Sequence, residues 1–352
     1  MSYTWDYLQT NPKEAKRLLG INYEQLIQLI EQGKLLHEQK QAERESQKVR
    51  LIRQGGGSPI KLSVEDQMIL TLIYLRQGLT FQVLGLLFQV SESTANNIFH
   101  YWQTLFREAL PSSLLEQVKK SGENKEIFKE SLREYELIVD SSEQVRERPT
   151  DTESQKSFYS GKKNNYTLKN QFIVLPNGEE IVDVVVGRRG PMSDINLWRE
   201  RKKEFHPEQK FAGDKAYKGE AQIKTPYKKP RKQELTNEQK QENKEFSGQR
   251  IFVEHLIRLV KIFRVAQERF RLPVSKYNSV ILTICGLVRL RKGGLVLKVL
   301  KSAEAGGEIE VLKQHSFSSL LTAKSSPPDS IIELPRSFLL GDSMENLVPE
   351  LA

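Results

Sequence analysis

The sequence of 352 residues contains a single cysteine, Cys285, and five histidines spread along the chain. One cysteine cannot form an internal disulfide, and we expect neither a cysteine-based zinc site nor a histidine-rich metal site. The first residues lack the apolar core of a signal peptide, and the longest apolar stretch, near residues 280–290, is far shorter than the roughly 20 residues that cross a bilayer. We therefore expect a cytoplasmic protein with no membrane partner. Any metal would be bound by carboxylates, as Mg²⁺ and Mn²⁺ are.

Positive charge is in excess along the chain. The 54 lysines and arginines outnumber the 45 aspartates and glutamates, which gives a formal net charge of +9 at pH 7. Such a balance favours a polyanionic partner. The excess is not uniform, because residues 297–352 are acidic, are rich in Ser, Pro and Gly, and lack a sustained apolar period. We expect that segment to be a poorly ordered C-terminal extension.

The N-terminal region is expected to form a helical arm over residues 1–54. Within it, residues 22–53 have the apolar spacing of one long polar helix. This helix is either a solvated helix with one packed face or an arm that dimerises or contacts DNA. The glycine-rich run at residues 54–59 follows as a linker.

A compact helical pattern follows this linker. Ser63 is suited to cap one helix, Phe81–Phe88 reads as a second, and a third begins near Ser91 after a tight turn. This order is typical of a helix-turn-helix DNA-binding domain, which we place at residues 60–110, although an ordinary three-helix bundle fits the spacing equally well. Lysine and arginine are nearly absent from the third helix, so base contacts would depend on Asn96 and Asn97.

Residues 135–190 change to the two-residue period of β-strands. The runs YELIVDSS, NYTLKNQFIVL and EEIVDVVVGRRG are strand candidates, and Pro176-Asn177-Gly178 predicts a hairpin turn between the last two. Strands followed by mixed strands and helices predict an α/β domain over residues 132–292. Its helices are expected over residues 193–205, 248–270 and 276–290.

Three carboxylates stand out by their positions in this domain. Asp140 ends a strand candidate, and Asp214 directly follows the short strand candidate Phe211-Ala212-Gly213. A sheet can place both aspartates at one edge, and a helix that crosses the sheet can bring Glu254 to them. Taken singly, each also has an ordinary structural interpretation, as a strand-end residue, a turn residue and a surface ion-pair partner.

The helix of Glu254 carries basic residues at helical spacing. Arg250, Arg258 and Lys261 lie four residues before, four after and seven after Glu254, which places all four on one face. One acidic residue among three basic ones suits a metal ligand beside a nucleic-acid backbone.

Five segments together resemble the DDE-type transposases of bacterial insertion sequences, in the branch where a helix-turn-helix precedes an RNase-H-like endonuclease domain. They are YELIVDSS, YSGKKNNYTLKNQ, GRRGPMSDINLW, FAGDKAYKG and SGQRIFVEHLIRLVKIF. The last segment matches the Arg-x3-Glu-x6-Lys signature of the family through Arg250, Glu254 and Lys261. Ser247 stands where the group best known for this signature has a tyrosine.

The resemblance implies a fold and a set of site residues. The fold is a mixed sheet flanked by helices, preceded by an all-α domain. Asp140, Asp214 and Glu254 would be the catalytic triad and the metal ligands, with Arg250 and Lys261 on DNA. Asp194 lies in a Gly-x3-Asp motif of this branch, where we expect it to cap a helix or to support the carboxylates from beside them.

The resemblance also implies the partners and the location. These are double-stranded DNA, at the element's terminal repeats and at the target, and a second copy of the chain, at least on DNA. The protein would act in the bacterial cytoplasm at the nucleoid. Lys162 and Lys163, close in sequence to Tyr159 and Tyr166, are further candidates for phosphate contacts, and the alternative is an ordinary solvated surface.

The expected chemistry follows from the substrate. Cleavage of a phosphodiester by water needs an activated nucleophile, a stabilised leaving oxygen and neutralised charge on phosphorus, and two Mg²⁺ or Mn²⁺ ions about 3.5–4 Å apart supply all three. Asp140 would bridge both ions, with Asp214 and Glu254 on one each. The first step frees a 3′-hydroxyl at the element's end, and the second directs that hydroxyl at target DNA.

Two other functions compete with this interpretation. One is a decayed copy that binds DNA through its helix-turn-helix and has lost its chemistry. The other is a metal-dependent phosphohydrolase for small molecules, although such an enzyme needs neither the positive charge nor the N-terminal helices. The presence of all three carboxylates favours the transposase.

Overall fold

The computed structural model describes residues 3–47, 61–122, 124–230 and 234–297. The end of the long helix predicted over residues 22–53, the linker at residues 54–59 and the C-terminal extension after residue 297 lie outside this part of the chain. Within it, no helix is both long enough and apolar enough to cross a membrane.

Helices occupy the N-terminal part of the chain. Asn22 and Gln25 cap the third helix reciprocally, each side chain accepting a backbone N–H of the other residue. Ser63 and Ser91 cap the first and third helices of the predicted helix-turn-helix, which confirms where these helices begin. The bounds are α1 Tyr3–Thr10, α2 Ala15–Leu18, α3 Tyr23–Ser46, α4 Val64–Gln77, α5 Phe81–Phe88 and α6 Glu92–Ala109.

Two short helices, α7 (Leu114–Ser121) and α8 (Lys125–Arg133), lead into the sheet. In the sheet region, one helix precedes the predicted β-hairpin and another follows it. Its elements are β1 Glu136–Val145, α9 Thr152–Phe158, β2 Tyr159–Ser160, β3 Asn165–Val174, β4 Ile181–Arg189, α10 Asp194–Arg201, β5 Lys210–Gly213 and β6 Ile223–Lys224.

The strands form one mixed sheet in which β3, β1, β5 and β6 lie side by side in that order, with β2 and β4 paired to β3. β1 runs antiparallel to β3 and parallel to β5, and β5 runs parallel to β6. This is the RNase-H-like arrangement that the family resemblance implied. The predicted hairpin between β3 and β4 is also confirmed, with Gly178 in the left-handed region at φ 65°.

Three helices complete the described chain: α11 (Asn237–Lys261), α12 (Arg264–Gln267) and α13 (Tyr277–Lys292). The predicted helix over residues 248–270 was wrong at both ends. A reciprocal cap between Thr236 and Gln239 starts α11 earlier, on a stretch too polar to show an apolar period. The chain then leaves the helix after Lys261, and Phe263 is fully buried.

α13 packs between the N-terminal helices and the sheet. Gln103 on α6 donates to Ser279 Oγ at 2.7 Å, and Gln25 on α3 donates to the backbone oxygen of Leu290 at 2.7 Å. One continuous set of buried apolar side chains runs through the N-terminal helices, the sheet and α13. The segments assigned to separate domains therefore share a core, and the domain boundaries themselves remain predictions.

Candidate active site

The parallel pairing of β1 with β5 brings two of the predicted site residues together. The last pair of this ladder is Val139 with Gly213, so the next residue on each strand is an aspartate, Asp140 or Asp214. Neighbouring strands lie about 4.8 Å apart, which makes these two residues neighbours across the sheet. The prediction that a sheet edge holds both aspartates matches this register.

The prediction that β1 ends at Asp140 was wrong, because the strand continues to Val145. Its antiparallel pairing with β3 continues from Asp140↔Phe172 to Val145↔Thr167. β5, by contrast, ends at Gly213, so the second half of β1 loses its parallel neighbour. Pairing with β3 keeps this half extended, and after Asp140 the other edge of β1 is open as far as Val145, whose backbone oxygen accepts from the Phe270 N–H at 2.9 Å.

Hydrogen bonds support the backbone around the two aspartates. The Ser141 backbone N–H donates to Asp140 Oδ1 at 2.8 Å, and the Ala216 N–H donates to Asp214 Oδ1 at 2.8 Å. The fully buried Tyr217 lies beneath them, with its hydroxyl 2.9 Å from Ser141 Oγ and accepting from Gln171 Nε2 at 3.0 Å. The turn after β5 is thereby tied to β1.

α11 brings the predicted glutamate to the same end of β1. Val253 is buried and holds the helix against the core, while the side chain of Glu254 is 57 % exposed. Arg250 lies one helical turn before Glu254, and its Nη2 is 4.0 Å from Asp140 Oδ2 and 3.9 Å from Glu254 Oε1. The guanidinium therefore lies between two of the three carboxylates.

Asp140 is in an unusual electrostatic position. Burial raises the pKa of its carboxyl to about 6, against the opposing effects of the Ser141 N–H and of the Arg250 charge. The negative charges of Asp214 and Glu254 raise this pKa further. A partly buried carboxyl with other carboxylates nearby is the environment that a bound cation stabilises.

A cavity of about 620 Å³ lies along the open edge of β1. Asp140 and Glu254 line one part of it. Lys163 and Lys261 also line it; burial lowers the pKa of the Lys261 ammonium, and the nearby charge of Lys163 lowers it further. The other charged residues of the lining are Lys162, Arg258, Glu143, Lys169 and Asp194.

The carboxylates are close but are not arranged as ligands. Among the described residues, no group of three or more His, Cys, Asp or Glu side chains is positioned to hold a metal ion. Asp214 does not belong to the described lining of the cavity, and Arg250 lies between the other two carboxylates. The donor set still fits a hard divalent ion, because it consists of carboxylate oxygens around the partly buried Asp140.

The cavity also has a polar wall that sequence reasoning missed in part. The strand register pairs Glu143 with Lys169, and Lys169 Nζ is 2.8 Å from Asp194 Oδ1 and 4.0 Å from Glu143 Oε1. Thr167 Oγ1 donates to Glu143 Oε2 at 2.8 Å. Ser193 caps α10, so Asp194 is an ion-pair partner of Lys169 and does not cap that helix. An alignment of the β1 and β3 strand candidates would have revealed the pairing of Glu143 with Lys169.

The other predicted DNA contacts lie on the surface. Lys162 and Lys163 are exposed beside the cavity, and Arg258 is exposed on α11. On α6, Asn97 is exposed and Asn96 is half-buried. Their contacts with DNA remain predictions.

Two family models match this chain. One is described as a DDE superfamily endonuclease and matches residues 139–289; the other is the helix-turn-helix of the DDE superfamily endonuclease and matches residues 61–112. The chain is 32 % identical over 215 residues to a probable transposase for insertion sequence element IS702 from Microchaete diplosiphon. That match covers 60 % of this chain and 74 % of the relative.

A comparison with solved structures found a likeness to a pre-cleavage Mos1 transpososome. The identity is 12 %, and the match covers 72 % of this chain and 83 % of the other. The TM-score is 0.19, so this likeness contributes nothing to the assignment of the fold.

Proposed function

Because this chain belongs to the DDE-type transposases of insertion sequences, we propose that it cuts DNA at the ends of its element and joins the freed 3′-hydroxyl to target DNA. One observation carries the proposal: the parallel ladder ends at Val139↔Gly213, which leaves Asp140 and Asp214 side by side. Glu254 on α11 lines the same cavity as Asp140. The resemblance assigned the catalytic role to these three residues.

Asp140, Asp214 and Glu254 would hold the divalent cations, and we propose two ions, Mg²⁺ or Mn²⁺. When bound, such ions supply an activated nucleophile, a stabilised leaving oxygen and neutralisation of charge on phosphorus. The protein positions the ligands: the Ser141 N–H orients the Asp140 carboxylate, and the Ala216 N–H orients that of Asp214.

The basic side of the cavity would bind the DNA backbone. Four basic residues line the cavity at the open edge of β1: Lys162, Lys163, Arg258 and Lys261. Phosphate contacts of this kind contribute affinity that does not depend on sequence and weakens as salt rises. Asn96 and Asn97 on α6 would contribute contacts to base edges.

The reaction would run twice at one site. In the first step, a water oxygen forms a bond to phosphorus while the bond to the 3′-oxygen breaks and the proton of the water leaves. In the second step, the oxygen of that 3′-hydroxyl forms a bond to a phosphorus of target DNA while the bond from this phosphorus to the target's own 3′-oxygen breaks. The hydroxyl proton is lost and the leaving 3′-oxygen gains one. Two element ends must be paired, so we propose a homodimer assembled on DNA in the bacterial cytoplasm.

A cleavage assay tests the proposal. Supercoiled plasmid carrying candidate element ends is incubated with Mg²⁺ or Mn²⁺ and with the wild type, Asp140→Asn, Asp214→Asn or Glu254→Gln. We expect metal-dependent cutting that all three variants lose while they still bind DNA. Glu238→Gln, an exposed carboxylate in the first turn of α11, is the matched control and should cut like the wild type.

Two outcomes would overturn the proposal. A wild type that binds the ends and never cuts, including after removal of residues 297–352, would be a DNA-binding relic. A protein that hydrolyses nucleotides and ignores duplex DNA would be a small-molecule phosphohydrolase.

A further inference from the structure

Arg250 is held in a position that phosphate binding alone does not require. Its side chain is only 18 % exposed, and its Nε is buried with no hydrogen-bond partner among the described residues. A guanidinium carries five N–H donors and is fully charged, so leaving one buried donor unpaired costs free energy. The guanidinium instead lies near the negative charges of Asp140 and Glu254.

The geometry around Arg250 is that of a shared cation. Its Nη2 is almost equally far from Asp140 Oδ2, at 4.0 Å, and from Glu254 Oε1, at 3.9 Å. These distances are longer than those of a direct charge-assisted hydrogen bond. One positive charge thus compensates two carboxylates and is bound tightly by neither.

A comparison with Arg258 argues against the simpler explanation that Arg250 is only part of a basic face for DNA. Arg258 lies one turn after Glu254 on the same helix, is exposed and has no ion-pair partner among the described residues. A helix that needed only a basic face for DNA would expose Arg250 in the same way. The partial burial of Arg250 beside Asp140 therefore has a separate role.

We infer that Arg250 takes the place of the divalent cation between Asp140 and Glu254 in the metal-free protein, and that the ion must displace it. This inference rests on the proposed function, because it assumes that these carboxylates bind the ion. Removing the competing charge then tightens metal binding. When the ion enters, a DNA phosphate is an alternative partner for the displaced guanidinium.

The test is a titration with Mn²⁺ alone, in the absence of DNA, in which free Mn²⁺ is measured by electron paramagnetic resonance. Removal of a competing charge held by two partly exposed carboxylates is expected to tighten binding by about tenfold in Arg250→Gln. Arg250→Lys retains the charge and should stay within about threefold of the wild type. Lys240→Gln is the matched control, because it removes one positive charge from an exposed position in the first turn of the same helix, outside the cavity lining, and it should bind Mn²⁺ like the wild type.

A second readout does not depend on affinity. In metal-free buffer Arg250→Gln should melt at a lower temperature than the wild type, because two carboxylates lose their shared counter-charge. Saturating Mn²⁺ should then raise its melting temperature by more than that of the wild type. A melting transition that shifts when Mn²⁺ is added also shows that Arg250→Gln is folded.

The outcomes separate the two proposals. Equal Mn²⁺ affinity in wild type and Arg250→Gln, or equal tightening by Arg250→Gln and Lys240→Gln, would overturn the role of Arg250 and leave the metal site standing. Mn²⁺ binding in none of these proteins would overturn the metal site and with it this inference. If Asp140→Asn removes the binding seen in the wild type, the ion is confirmed at the carboxylates.

Discussion

Gly213 lies so close to the ring of Tyr217 that a Cβ atom added at residue 213 would be 2.9 Å from Tyr217 Cδ2. The same atom would be 3.0 Å from Ile223 Cγ2 on β6. Tyr217 is fully buried and its hydroxyl is bonded on two sides, so the ring cannot move aside. The absence of a side chain at Gly213 is therefore what lets the ring of Tyr217 pack against the end of β5, directly before Asp214.

Gly213→Ala should destabilise the fold by about 1–3 kcal/mol, the usual cost of overpacking a filled core. It should also reduce DNA cleavage by more than DNA binding, because the strain falls on the turn that carries Asp214. Urea unfolding and the plasmid assay measure the two effects. Gly248→Ala is the control, since nothing lies within 4 Å of the added atom on α11, and it should be neutral or stabilising. Equal behaviour of the two alanine variants would contradict this account.

Lys162 and Lys163 should contribute to DNA affinity through charge alone. Replacing both by alanine should reduce the slope of log affinity against log salt by about 2, close to one counterion for each phosphate contact. The loss should be the same for specific and random duplexes. Fluorescence anisotropy at several salt concentrations measures it. Lys125→Ala with Lys203→Ala removes the same charge from exposed positions outside the cavity lining, and an equal change of slope in this control would argue against a local role.

Local patterns in the sequence were enough to predict much of this fold. The bounds of α5 coincide with the prediction, because Thr80 caps its start and the backbone turns left-handed at Gln89. The aspartates were visible because each follows a short apolar run, which is a signal within one strand. The start of α11 was missed because its first turns are polar and only a reciprocal cap marks them.

Relations between distant segments could not be predicted in this way. The ion pair of Lys169 with Asp194 depends on the register of β3 beside β1 and on the placement of α10. The position of Arg250 between two carboxylates depends on how α11 crosses β1, and helical spacing alone placed it only on the same face as Glu254. Such contacts come from tertiary packing, which no local pattern encodes.

The pair of Lys169 and Asp194 should couple strongly. Both side chains are largely buried, 8 % and 22 % exposed, and Nζ is 2.8 Å from Oδ1. A double-mutant cycle with Lys169→Met and Asp194→Asn should give a coupling free energy of about 1–3 kcal/mol in urea unfolding. The exposed pair Arg188 and Glu200, at 2.9 Å, should give less than about 1 kcal/mol when treated alike. Similar coupling in both cycles would mean that burial does not strengthen the inner pair.

Glu116 should make stability depend on pH in the acid range. Burial alone would raise the pKa of its carboxyl, but hydrogen bonds from the Ser112 hydroxyl and N–H and the Arg107 charge outweigh burial and lower the pKa to about 2. The folded pKa thus lies below the ordinary value of 4.5, so this stabilisation is complete above that value and is lost as the pH falls toward 2.

Glu116→Gln should therefore lower the free energy of unfolding at pH 7, and the difference from wild type should shrink as the pH falls from about 5 to about 2. Urea unfolding across this range measures it. Glu126→Gln, at an exposed position on α8, should change stability by less than about 0.5 kcal/mol. A Glu116→Gln deficit that stays constant down to pH 2 would contradict the depressed pKa.

Arg289 and Glu180 form a buried ion pair that joins α13 to the β3–β4 turn. Arg289 Nε is 2.7 Å from Glu180 Oε1, and the two side chains are 0 % and 6 % exposed. Arg289 Nη1 also donates to the backbone oxygens of Pro111 and Ser113, at 2.8 and 3.1 Å. One guanidinium thus satisfies acceptors from the helical and the sheet regions at the same time.

Arg289→Met should cost about 3–5 kcal/mol of unfolding free energy, because it leaves the Glu180 carboxylate buried without a counter-charge. Glu180→Met leaves the guanidinium with its backbone acceptors and should cost less. The double variant should be less destabilised than the sum of the single variants, since no charge remains unpaired, although the carbonyls of Pro111 and Ser113 still lose their donor.

Urea unfolding of the three variants measures these differences. The exposed pair Arg133 and Glu130 is the control and should be additive within about 0.5 kcal/mol. Additive losses in the buried pair as well would mean that Arg289 stabilises the junction through its backbone contacts and not through Glu180.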